Sequence, residues 1–81
     1  MDRKELMSVV GARIRYTRQR MKLSRSKLAQ RVGVSMNGIA MIERGEVDPR
    51  IGTLHKIAEQ LDVEVEDFLT RQFRIADLPT S

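Results

Sequence analysis

The sequence predicts an all-α domain of five helices, and three observations carry that expectation. Apolar residues recur at three- and four-residue steps along most of the chain, which marks successive helical stripes. Serine opens and glycine closes the short segments in the middle, as "LSRSKLAQRVGVSMNGIAMIERGEV" shows. Apolar residues make up 41% of the 81 positions but aromatics only 4%, which suits a bundle of Leu, Ile, Val, Ala and Met better than a β-sandwich. That length allows one small domain with one modest core.

In "ELMSVVGARIRYTRQRM" the stripe Leu6 or Met7, Val10, Ile14, Thr17 and Met21 defines a first helix over residues 5–21. Ser24 is placed to cap a second helix over 25–32, which buries Leu28, Ala29 and Val32 and stops at Gly33, where a C′ position favours positive φ. Val34 dips towards the core. Ser35 caps a third helix over 36–44 that turns Ile39, Ile42 and part of Glu43 inward, and Gly45 closes it. In "EVDPR" Asp48 is a candidate cap with Pro49 at the first helical position, or the helix starts a residue or two later. This fourth helix covers 50–61, burying Ile51, Leu54, Ile57, Ala58 and Leu61, with Val63 contributing from the following loop. Val65, Phe68, Leu69, Gln72, Phe73 and Ala76 keep helical spacing, so the fifth helix is expected to run past Leu69; the alternative is a short helix to about Thr70 and a frayed tail. Leu78-Pro79 ends the longer form. The expected division is a domain over 1–70 and an extension over 71–81.

The net charge is +4, unevenly spread. Residues 1–22 hold seven Lys/Arg against two Asp/Glu, residues 23–45 four against one, and residues 46–81 four against eight. A basic front half joined to an acidic back half fits a face that meets a polyanion; solvated helix surface is the plainer account. There is no cysteine, hence no disulfide framework and no thiolate metal site. No apolar run reaches the roughly 18 residues of a membrane span, and the first residues lack a signal-peptide core, so a cytoplasmic location is expected.

Two short helices joined by about three residues including glycine have the layout of a helix-turn-helix, although any helical hairpin can share it. "LS" before the second helix, "LAQRVGVS" across the turn, "IERG" closing the third, Pro49, and Leu54 with "IAEQLDV" in the fourth together resemble the phage-repressor (Cro-like, or Xre) helix-turn-helix family over about residues 10–69. The resemblance implies a five-helix, lambda-repressor-like DNA-binding domain whose helix-turn-helix is formed by helices 2 and 3. It also implies that the third helix enters the major groove, a channel about 12 Å wide that admits one helix.

At 100° per residue, Asn37, Ala40, Met41 and Arg44 cluster away from Ile39 and Ile42, and Met36 leads the helix. By the resemblance, Met36, Asn37 and Met41 contact bases with Gly38 beside them. Asn pairs with adenine N6 and N7, whereas Met offers only apolar contact, best to a thymine methyl. Polar residues are common in the family at the two methionine positions, so a share of shape readout is expected here. Phosphate contacts are expected from Ser24 and Arg25 at the start of the second helix, from Ser35, and from Arg44 and Arg50 flanking the third, with a minor groove as the alternative target of Arg50. The family pattern also implies an internal ion pair, Arg18 with Glu43, that sets the angle of the third helix. Lys22 stands where the family usually has glycine, so the end of the first helix must absorb strain, and Glu64 replaces a small capping residue before the fifth.

The expected partner is double-stranded DNA with a pseudo-palindromic site. The chain would be a homodimeric transcription regulator, read as a repressor, with Val65, Phe68, Leu69, Phe73 and Ile75 at the dimer interface. The alternative is an antitoxin or protein-interaction module that uses the acidic C-terminal half. An enzyme is disfavoured: His55 is the single histidine, amid charge, and no catalytic set, metal-ligand cluster or phosphate loop accompanies it. No cofactor, metal or small-molecule ligand is expected.

Overall fold

The computed structural model describes residues 1–69, and within them the chain forms α1 (Arg3–Arg20), α2 (Arg25–Val32), α3 (Met36–Glu43), α4 (Ile51–Gln60) and α5 (Glu66–Leu69). No strand occurs among the described residues. α1 starts earlier than the stripe suggested because Asp2 caps it, its carboxylate accepting from the Glu5 N–H at 2.8 Å.

The polar ends do what serine and glycine predict. Ser24 Oγ accepts from the Lys27 N–H at 3.0 Å, and Ser35 Oγ from the Gly38 N–H at 2.9 Å. Gly33 follows α2 at φ +86°, and Gly45 follows α3 at φ +71°. The second turn lets the Glu46 N–H reach back to the Met41 carbonyl at 3.0 Å. α1 ends in the same left-handed way, but on Lys22 at φ +55°, so the strain expected there is present. Lys22→Gly should therefore raise stability by about 0.5–1 kcal/mol, read as a higher urea midpoint with an unchanged slope.

Two expectations about α4 need correction. Asp48 does not cap it: its carboxylate accepts from Arg3 Nε at 3.1 Å, and the helix takes the alternative start, two residues after Pro49, behind an extended Arg50 that makes no side-chain cap. Ile51 is not buried but 74% exposed, because it is the first helical residue and lies beyond the core's edge. With Leu6, Met7, Pro49 and Leu69 it lines a shallow apolar cleft.

The core joins Val10 and Ile14 of α1, Leu28, Ala29 and Val32 of α2, Ile39 and Ile42 of α3, Leu54, Ile57 and Ala58 of α4, then Leu61 and Phe68. Met21, Leu23, Val34, Val63 and Val65 pack against it. α5 is held to α1 by Arg13, whose Nη1 donates to the Phe68 carbonyl at 3.0 Å. In place of a small cap before α5, Asp67 Oδ2 accepts from the Glu64 N–H at 2.9 Å. The possible continuation of α5, with Phe73 and Ile75, and the 71–81 extension lie outside the described residues.

One contact brings α1 and α3 closer than side chains permit. A Cβ on Gly11 would stand 2.3 Å from the Ile42 carbonyl oxygen and 2.6 Å from that of Glu43. The glycine in "SVVGAR" is therefore the seat on which the end of α3 rests.

Candidate nucleic-acid interface

Each helix of the α2–α3 pair has only eight residues, too few to persist alone, so packing and caps must hold them. The strongest fixture is Glu43. Its Oε2 accepts from Arg18 Nε at 2.7 Å and its Oε1 from Arg18 Nη2 at 3.1 Å. Arg18 Nη1 donates to the Leu23 carbonyl at 2.9 Å. The Arg18 side chain is 8% exposed and that of Glu43 1%, so the expected ion pair forms and is buried. Its guanidinium is turned into the protein rather than out towards a phosphate. A third donor was not foreseen: Arg25 Nε reaches Glu43 Oε1 at 3.2 Å. One carboxylate thus ties α1, α2 and α3 together.

With Glu43 drawn in, the buried arc of α3 runs from Ile42 through Ile39 and Glu43 to Ala40, a contiguous span at 100° per residue. Ala40 is 8% exposed and does not belong to the bare face, which corrects the grouping expected from the sequence. What remains outward is Asn37, Met41 and Arg44, with Gly38 at the edge and Met36, 56% exposed, at the leading end. Asn37 Nδ2 donates to Met41 Sδ at 3.6 Å, one turn away, which holds the amide against the thioether. A Cβ on Gly38 would meet only its own cap, Ser35 Oγ, at 3.1 Å, so no neighbouring helix demands glycine there.

Around that face stand the residues expected at phosphates. Ser24, Ser35, Arg44 and Arg50 are exposed, and Arg25 is half-buried. Both serine oxygens accept from backbone in their capping role, which leaves each hydroxyl proton to donate outward. Arg25 shares Glu43, and Arg44 is paired with Glu46. Glu46 was counted from sequence with the acidic half; only the left-handed turn at Gly45 returns it to the end of α3.

Phe68 cannot serve the expected dimer interface, because it is 0% exposed inside its own domain. Val65 is half-buried against the core, and Leu69 is exposed. His55 is exposed, with Nδ1 3.6 Å from Glu59 Oε1. Among the described residues no group of His, Cys, Asp or Glu is placed to hold a metal, and no helix is long and apolar enough to cross a membrane.

Two eight-residue helices, a left-handed glycine between them, and an outward strip on the second helix flanked by guanidinium groups define a helix-turn-helix domain. The helix-turn-helix family profile matches residues 14–68, well over half the chain. The chain belongs to the Cro-like (Xre) helix-turn-helix family of DNA-binding transcriptional regulators. It is 36% identical over 56 residues to an HTH-type transcriptional regulator of Sinorhizobium fredii, y4dL, a match covering 69% of this chain and 29% of that protein. It is likewise 36% identical over 56 residues to the immunity repressor protein of Bacillus phage phi105, covering 69% of this chain and 39% of that one. The chain thus spans less than two-fifths of the length of these two relatives. Among solved structures, the clp gene regulator ClgR from Corynebacterium glutamicum superimposes with a TM-score of 0.77 at 26% identity, covering 79% of this chain and 68% of that one.

Proposed function

We propose that the chain represses transcription as a homodimer that lays α3 of each copy in the major groove of a pseudo-palindromic site. The single observation that carries this reading is the outward strip of α3. Asn37, Met41 and Met36 project from a helix whose other side is fixed to α1 by a buried ion pair. Asn37 reads adenine, and the methionines take thymine methyls or a groove of matching width, with the Gly38 backbone beside them. Ser24, Arg25, Ser35, Arg44 and Arg50 position the domain on phosphates. Repression follows the relative whose printed name is an immunity repressor. Two recognition helices one turn apart, about 34 Å, require a second copy. The apolar cleft edged by Leu6, Ile51 and Leu69 replaces Phe68 as the surface it would use.

The test is a salt titration with a random-sequence duplex pool, followed by selection of preferred sites. With up to three arginines per copy on phosphates, the log–log slope of affinity against salt is expected between about −3 and −5, with two chains on each selected site. Binding that is flat in salt and confined to the millimolar range would remove the proposal.

A further inference from the structure

The arginine that ends the reading helix already holds an anion. Arg44 Nε donates to Glu46 Oε2 and Arg44 Nη2 to Glu46 Oε1, both at 3.0 Å. This two-pronged geometry is the one a guanidinium uses on a phosphate. The carboxylate is held in place by its backbone. Gly45 turns the chain at φ +71°, and the Glu46 N–H is bound to the Met41 carbonyl at 3.0 Å, so residue 46 comes back alongside residue 44. The hydrogen bond from Arg44, helped by its charge, holds the Glu46 carboxyl below the ordinary carboxylate range, and the same contact raises Arg44. Both side chains are exposed, so a phosphate has access to the pair.

We propose that Glu46 is a tethered counterion that competes with DNA phosphate for Arg44. This rests on the DNA-binding reading above and goes beyond it. A phosphate that takes Arg44 must first displace the carboxylate, which then stands at the rim of the interface as an extra negative charge. Phosphates carry no sequence information, so the penalty falls on every duplex alike. Affinity for random DNA is held down, and a larger share of productive binding depends on Asn37 and the methionines.

The experiment is Glu46→Gln in the full chain, measured by fluorescence anisotropy on a random duplex across a salt series. Glutamine keeps the shape and one acceptor and removes the charge. The variant is expected to bind up to about fivefold tighter at roughly 0.1 M salt. Its salt slope should steepen by up to roughly 0.9 for each chain bound, because Arg44 now displaces a counterion on its own. In an Arg44→Ala background the same substitution should add little. Unchanged affinity in Glu46→Gln overturns the proposal, and so does a gain that persists in full without Arg44, since Glu46 would then act only as diffuse charge. A wild-type chain with the expected slope and an unresponsive Glu46→Gln sinks this inference alone; a wild type indifferent to salt sinks the DNA reading as well.

Discussion

Glu43→Ala is expected to lower folding stability by roughly 3–5 kcal/mol, the cost of leaving a buried charge without its partner. The Arg18 guanidinium keeps its bond to the Leu23 carbonyl but loses both carboxylate oxygens in a place water barely reaches. Arg25 loses its acceptor too, but it is half-buried at the rim and can turn to solvent. Urea unfolding of the variant checks the size of the effect. The pairing Arg18→Met with Glu43→Leu separates two roles. Apolar substitutes of similar volume often match or exceed the stability of a buried ion pair. The double variant should therefore recover most of the loss while DNA affinity stays low, because no directional bond then sets α3 against α1. Full recovery of both would show that packing alone orients the reading helix.

Gly11→Ala is expected to be among the costliest single-methyl changes in the domain. In an open helix alanine would gain about 1 kcal/mol over glycine. Here the new Cβ would overlap the carbonyl oxygens of Ile42 and Glu43, and backbone cannot swing aside as a side-chain tip can. α1 and α3 must separate, which places the penalty at or above the upper end of the roughly 1–3 kcal/mol typical of overpacking. For a domain of this size each kcal/mol shifts Tm by about 4–8 °C, so a fall of ten degrees or more is expected in a thermal melt. A melt unchanged within two degrees or so would mean that the two helices are not held as close as they stand.

Gly11 also shows where sequence reasoning stops. The five helices were legible because stripe spacing, serine caps and left-handed glycines are local signals, and the matching residues of the family pattern placed Arg18 against Glu43 across 25 positions. Gly11 reads as an ordinary weak point in a helix, since nothing near it in the chain announces that α3 arrives from thirty residues away. Ile51 fits its stripe by periodicity, but periodicity carries no information on where the core ends. Ala40 went to the wrong face because the inward pull on Glu43, a tertiary effect, widens the buried arc. Phe68 was expected at a dimer interface, because helical spacing does not tell that α5 folds it against the core of its own domain. Glu46 was invisible as a neighbour of Arg44 for a simpler reason: the turn that joins them is a matter of one glycine's φ.

The carboxylate of Glu43 collects donors from two helices, and its main partner, Arg18, also grips the turn between them at Leu23. Segments pinned at one point cannot fray one after another; they open as a single cooperative unit or stay shut. The surface proposed to meet a duplex is thus held in place before contact, and little conformational entropy remains to be lost on docking.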